Sequence, residues 1–352
     1  MFVPGKRIAV GLTFFMIALF VLFFDSCRRD AEIIPAVAPD DVTFKIPPGF
    51  PAPVYNFENN PVTVDGFKLG RRLFYEGRLA SDNSISCGFC HQQVNAFANS
   101  GHQFSHGVGG LFGTRNAPPV FNLAWNYTFM WDGGINHIEN QPLGPIANPV
   151  EMNESLANVI AKLNADLSYK DQFKAAFGDD SVTTQRLCRA LAQFMGIMIS
   201  AESKYDQYMR GDAAFTTQES NGLALFRTKC ASCHTEPLFS DRSYHNNGLP
   251  VDPTINDRGR MMITNDAADS LKFKTPSLRN CAVTYPYMHD GRFMTLSECL
   301  NHYAGGVVIS PTLDPLLAAG IPLTTQEKSD LLAFLATLTD QKFLTDTRFR
   351  EQ

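Results

Sequence analysis

Two pentapeptides of one kind, Cys87-Gly88-Phe89-Cys90-His91 and Cys230-Ala231-Ser232-Cys233-His234, hold the reactive side chains with the most specific spacing in this chain. Cys-x-x-Cys-His is the attachment signature of c-type haem. Both thiols add across the porphyrin vinyl groups, and the adjacent imidazole then falls under the iron as proximal ligand. The spacing matters because the two thioether bonds must come from one tight turn. A structural zinc site is the competing reading, but the third and fourth ligands that a zinc fold needs are not at finger spacing. Two matches in one chain predict two covalently bound haems.

The elements that must position these residues also occur twice. Upstream of the first motif is Gly70-Arg71-Arg72-Leu73-Phe74, and upstream of the second is Gly222-Leu223-Ala224-Leu225-Phe226. Downstream, Arg115-Asn116 precedes Met130-Trp131-Asp132-Gly133-Gly134, and Arg279-Asn280 precedes Met288-His289-Asp290-Gly291-Arg292. Each half therefore carries a helix, a haem turn, an Arg-Asn element and an Asp-Gly turn. Apolar residues recur at helical spacing over Leu156–Leu163 and Leu187–Met198. Capping boxes open helices at Thr216 with Glu219 and at Thr324 with Glu327, the latter running to about Leu338. Strand-like alternation is scarce, and long Gly, Pro and Asn loops suit domains whose core is largely cofactor. The expected fold is mainly α: two cytochrome c-like haem domains related by internal duplication and facing each other, over residues 47–205 and 206–345.

At the N-terminus, Lys6-Arg7 precedes an uncharged apolar run from Ile8 to Phe24, which reads as an export signal over 1–26. It ends in Phe24-Asp25-Ser26-Cys27, a loose lipobox. Lipidation of Cys27 is preferred over a retained signal anchor, which would be near the short limit for spanning a bilayer. Either way a tether over 27–46 would hold the protein to a membrane, periplasm-facing, in an oxidising compartment that suits haem attachment. The 352 residues carry 30 Lys and Arg against 35 Asp and Glu, with no basic tract, which argues against nucleic acid as a partner. Of eight cysteines, Cys188, Cys281 and Cys299 fall outside the haem and lipid readings, and are read as small buried apolar side chains.

From Leu69 to Leu338 the chain resembles the bacterial dihaem cytochrome c peroxidase and MauG family. The resemblance rests on the haem motifs, Arg115-Asn116-Ala117-Pro118, Trp131-Asp132-Gly133, Gln141 through Pro149-Val150-Glu151-Met152, Phe273 through Asn280, and Tyr287-Met288-His289-Asp290-Gly291. It implies a peroxidatic haem on His91 with an open distal face and an electron-transfer haem on His234. By the same resemblance Trp131 serves as a hopping station between them, and Glu151 and Gln141 line the distal pocket. O–O cleavage needs a proton moved from one peroxide oxygen to the other, and a positioned carboxyl group can do this. The alternative for Glu151 is a helix N-terminal acid favoured by the dipole. The resemblance further implies Ca²⁺ between the domains, held by the Asn116 side chain and the carbonyls of Thr284 and Pro286, oxygen donors that suit a hard cation. It leaves room for a homodimer.

Three departures bear on function. Gly134 stands where the family turn has Arg, so one Arg contact is absent. Some relatives block the resting peroxidatic iron with a distal His; here His102 and His106 are available, His106 being better placed from His91, and a solvated loop histidine is the alternative. Where typical peroxidases carry the sixth-ligand Met of the second haem, this chain has Tyr303, as MauG-like members do, with His302 and His289 as rivals. Tyrosine is an oxygen donor that favours oxidised iron.

The leading expectation is a dihaem peroxidase reducing hydrogen peroxide to water with electrons from a small cytochrome c or cupredoxin. The second is a MauG-like oxidase that modifies residues of a partner protein. The third is a non-catalytic dihaem electron carrier with both irons closed.

Overall fold

The helices expected from apolar spacing are present, and their ends follow local capping chemistry. The computed structural model describes residues 1, 41–99 and 101–352. The export signal, Cys27 and most of the expected tether lie outside the described residues. Among the described residues no helix is long and apolar enough to cross a membrane. The chain is mainly helical there, and its one extended ladder is a short antiparallel pair, β1 (Tyr244–His245) with β2 (Phe273–Lys274), in the register Tyr244↔Lys274.

Helix α1 spans Val64–Phe74, with the Thr63 side chain accepting from Gly66 N, Asp65 in its first turn and Arg71 and Arg72 in its last. Those charges complement the helix dipole at both ends. Helices α2 (Leu156–Asn164) and α3 (Leu167–Phe177) follow, capped by Ser155 and Asp166. Helix α4 (Thr184–Ile197) covers the second predicted amphipathic stretch. After α5 (Lys204–Arg210), helix α6 (Thr217–Lys229) opens on the predicted Thr216–Glu219 capping box. Helix α7 (Leu296–Asn301) precedes α8 (Thr325–Ala336), which carries the Thr324–Glu327 box and stops just short of Leu338.

One helix crossing is built twice. On α1, a Cβ added at Gly70 would lie 2.0 Å from the Ala190 carbonyl oxygen of α4; on α6, one at Gly222 would lie 2.0 Å from that of Asp330 on α8. Only a residue without a side chain lets the backbones approach so closely. Beside each glycine an aromatic pair seals the crossing, Phe74 with Phe194 at 5.2 Å and Phe226 with Phe334 at 5.1 Å. The first crossing sits in a large apolar core that includes Leu69, Leu73, Phe97 and Leu191. The second anchors a smaller core with Tyr205, Phe239 and Leu335.

Beyond Leu338 the chain crosses back. Helix α9 (Gln341–Thr345) and Phe349 place Phe343 and Phe349 in the first core. Gln93 donates to the carbonyls of Phe343 and Asp346, and Tyr75 to that of Phe349. Up to residue 345 this segment falls within the expected second domain, yet Phe343 and Phe349 pack in the first core. Two buried polar knots add to this, the first inside the second half and the second between the halves. Arg279 is wholly buried and donates twice to Asp206, each bond 2.8 Å. Asp340 accepts from Ser200, Ala201 and Glu202.

Candidate functional site

The first Cys-x-x-Cys-His motif forms one helical turn, Cys87–Cys90, closed by a hydrogen bond of 2.9 Å from His91 N to the Cys87 carbonyl. His91 then meets the Phe97 carbonyl through Nδ1 at 2.8 Å. A carbonyl can only accept, so Nδ1 carries the proton and Nε2 keeps its lone pair, the tautomer an iron ligand needs. Burial pushes this imidazole's pKa down, with the Phe97 carbonyl opposing. His234 repeats the arrangement, with Nδ1 3.1 Å from the Phe239 carbonyl. In both motifs the thiol pKa values are raised by burial.

Cys87, Cys90 and His91 line a cavity of about 600 Å³, within the range of small-molecule and cofactor sites, roughly 300–1,000 Å³. Phe74, Val120, Leu191 and Met195 give it apolar walls. Two thiols in one turn, a neutral proximal imidazole and an apolar slot of this size fit a covalently held haem. The same cavity gathers Glu151, Gln141, His106 and Trp131, residues the sequence placed there only by resemblance.

Glu151 lies in a turn that precedes the Ser155 cap of α2, so it is not the N-terminal acid of that helix. Burial raises its pKa, and a hydrogen bond of 2.9 Å from Asn148 Nδ2 to its Oε1 works the other way. Gln141 follows a single 3-10 turn, Ile138–Asn140. His106 reaches the cavity wall, whereas His102 is exposed and packs edge-on against it, ring centroids 4.5 Å apart. The His106 loop is pinned to the Glu151 segment by Val108 N donating to the Glu151 carbonyl at 2.8 Å.

Trp131 is tied to both halves: its Nε1 donates to the Asn116 carbonyl at 2.8 Å, and its own carbonyl accepts from Lys274 N at 2.7 Å. The turn that lacks the family Arg is held instead by Arg115, which donates to Asp132 and, in a bidentate pair, to Asp257 at 2.6 and 2.9 Å. Arg260 adds a bond of 3.1 Å to the Asp132 carbonyl.

At the second motif, Tyr303 sits in a π-helical turn, His302–Gly306, which continues α7. Such turns concentrate at functional sites. Burial pushes the Tyr303 phenol up to about 12; the Asn247 side chain opposes this by hydrogen bonding, and the thiols of Cys299, Cys230 and Cys233 add to the rise. The rivals of Tyr303 are engaged elsewhere. His302 Nε2 is 2.9 Å from the Asn247 carbonyl, and His289 stacks on Phe273 at 3.7 Å.

Asn116 donates its side-chain amide to the carbonyls of His102 and Gln103, which leaves the oxygen as its remaining polar atom. Gly101 N in turn donates to the Tyr285 carbonyl at 3.4 Å, bringing the Thr284–Pro286 segment to the same loop. Cys188 and Cys281 are buried and Cys299 partly so, all three as free thiols.

The model of the di-haem cytochrome c peroxidase family matches residues 64–214. A MauG methylamine utilization protein of Methylorubrum extorquens is 36% identical over 299 residues, covering 84% of this chain and 83% of the relative. The cytochrome c551 peroxidase of Nitrosomonas europaea is 34% identical over 289 residues, covering 79% and 81%. Among solved structures, a MauG-like protein associated with microbial copper homeostasis is similar with a TM-score of 0.81 and 34% identity, covering 87% of this chain and 98% of that one.

Proposed function

Because the chain belongs to the dihaem cytochrome c peroxidase and MauG family, we propose that it reduces hydrogen peroxide to water with electrons from a small redox protein, a cytochrome c or a cupredoxin. One observation carries this reading: His91, Glu151, Gln141 and Trp131 line a single cavity. When bound, the haem at His91 supplies the iron at which the O–O bond breaks. Glu151 would take a proton from one peroxide oxygen and return it to the other, so that water departs rather than hydroxide. Gln141 orients the peroxide, and the apolar wall limits bulk water. Trp131, fastened to Asn116 and Lys274, provides an aromatic contact between the two halves along which electrons move. The His91–Phe97 hydrogen bond fixes the ligand tautomer. The test is steady-state peroxide consumption by the holoprotein with a reduced cytochrome c or cupredoxin. A protein that consumes none, and whose resting spectrum has no high-spin ferric component, is an electron carrier instead.

Tyr303 favours a second reading, a MauG-like oxidase acting on residues of a partner protein. An oxygen ligand at the second haem favours oxidised iron and so suits storage of oxidising equivalents. Rapid steady-state turnover with a reduced cytochrome would exclude it.

The paired crossings at Gly70 and Gly222 support a duplicated architecture with haem domains at 47–205 and 206–345. A holoprotein crystal structure in which the two halves do not superpose with their haems would end that reading. The Asn116 side chain and the Thr284 and Pro286 carbonyls would offer a Ca²⁺ only oxygen donors, the kind that suits it. Chelation should then change the haem spectrum, and an unchanged spectrum with no bound calcium would remove the proposal. Attachment to a periplasm-facing membrane through Cys27 is tested by fractionation of cells making the wild type and Cys27→Ala.

A further inference from the structure

The cavity around His91 is walled partly by the second half of the chain, and two partly buried cations there, Arg242 and Lys274, have no carboxylate of their own. Arg242 holds a left-handed backbone conformation, φ 61°. One guanidinium nitrogen donates to the Trp125 carbonyl at 2.9 Å, and the group lies 4.8 Å from the Tyr127 ring centroid. Its Nε is buried with no hydrogen-bond partner. No carboxylate pairs with Arg242 among the described residues. Lys274, on β2, donates to the Thr128 carbonyl at 2.7 Å, and burial pushes its ammonium down to about 8. The carboxylate that acts on Lys274 is Asp132, whose oxygens already accept from Arg115 and Gly134 N.

Arg115, by contrast, is fully paired in the same wall with Asp132 and Asp257. Half-buried cations with no carboxylate of their own are costly, so a cavity that keeps two of them is suited to receive negative charge. A porphyrin joined to Cys87 and Cys90 through its vinyl edge carries two propionate carboxylates at the opposite edge. Arginine and lysine suit these, the first as a planar fork and the second as a point charge.

We propose that Arg242 and Lys274 bind the propionate carboxylates of the haem attached at Cys87 and Cys90, so that the second half of the chain closes the anionic edge of the first half's cofactor. The proposal rests on the reading that Cys87, Cys90 and His91 hold haem. Removing a cation beside the propionates leaves their negative charge uncompensated near the iron, which favours the ferric state. It also makes the propionate easier to protonate.

The experiment has two stages, both on holoprotein. Intact mass first counts the haems; absence of haem at Cys87 and Cys90 in the wild type defeats the attachment reading itself. Spectroelectrochemical titration across pH then compares wild type with Arg242→Leu, Lys274→Met and Arg242→Lys. In the two neutral variants the His91 haem should fall in potential, and the pH dependence of that potential should move to higher pH. Arg242→Lys should restore most of the wild-type behaviour, and the His234 haem should barely move. Wild-type potentials and pH dependence in both neutral variants would overturn the proposal, as would a shift confined to the His234 haem. Resonance Raman of the wild type needs no variant: propionate bending bands typical of a carboxylate without hydrogen bonds would also overturn it.

Discussion

Asn148 donates its side-chain amide to Glu151 Oε1 at 2.9 Å, and this bond opposes the burial that raises the carboxyl pKa. A carboxyl group poised in this way takes and returns a proton more readily near neutral pH than an ordinary surface acid.

Replacing Glu151 with Gln should slow reaction with peroxide by about 10²-fold or more, the scale of a positioned acid–base group. The haem spectrum should be nearly unchanged, since the amide keeps the shape of the site. Stopped-flow mixing with peroxide measures the rate. A variant as fast as wild type would leave Glu151 no role in proton transfer.

The pH profile follows from the direction of the shift. Glu151 must be ionised to accept the first proton, and its pKa is raised by burial. The rate of the wild type should therefore climb with pH on a limb that lies above the ordinary carboxylate range. Asn148→Ala removes the bond that lowers this pKa, so the limb should move to still higher pH. Movement toward lower pH would contradict the assignment.

Attachment should be complete at both motifs. Mass spectrometry of protein made with the haem-attachment machinery is expected to show two haem additions, neither extracted by acid-acetone. A single addition would mean that one of the turns at Cys87 and Cys230 does not function.

The glycines at the two crossings give a stability test with an informative sign. In an exposed helix interior, Gly→Ala gains about 1 kcal/mol. At Gly70 or Gly222 the new Cβ would stand 2.0 Å from a backbone carbonyl oxygen, so helices must part. Gly70→Ala and Gly222→Ala should each destabilise by roughly 1–3 kcal/mol, the range for overpacked cores. Denaturant titration of the holoprotein measures this, and stabilisation would show that the helices yield freely.

What could be read from sequence was local. The capping boxes at Thr216 and Thr324 link a side chain to a backbone group three residues away, so their spacing alone reveals them. Gly70 and Gly222 were visible as a repeat, but their purpose needs the partner helices. Asp257 was missed because it joins Arg115 from 142 residues away, with no local pattern to mark it. Nothing in the sequence assigns Phe343 and Phe349 to the first core; apolarity says that a side chain is buried, not against which core. Arg242 and Lys274 likewise show their missing partners only when neighbouring acids are seen to be engaged. Tyr303 was legible through resemblance, but the π-helical turn that carries it was not.

That turn leads to the prediction that best separates the two functional readings. Tyr303 sits in the turn that continues α7, while His302 and His289 are engaged by the Asn247 carbonyl and the Phe273 ring. If the phenol oxygen ligates the His234 iron, that haem should be low-potential, because an oxygen donor stabilises Fe(III) over Fe(II). Tyr303→Met should reverse the preference: the potential of one haem should rise while the other barely moves. The variant should also lose the capacity to hold two oxidising equivalents, whereas relay of single electrons survives. Potentiometry and the near-infrared spectrum measure both effects. A variant identical to wild type in potential and spectrum would show that Tyr303 is not the ligand, and the MauG-like reading would lose the observation that favours it.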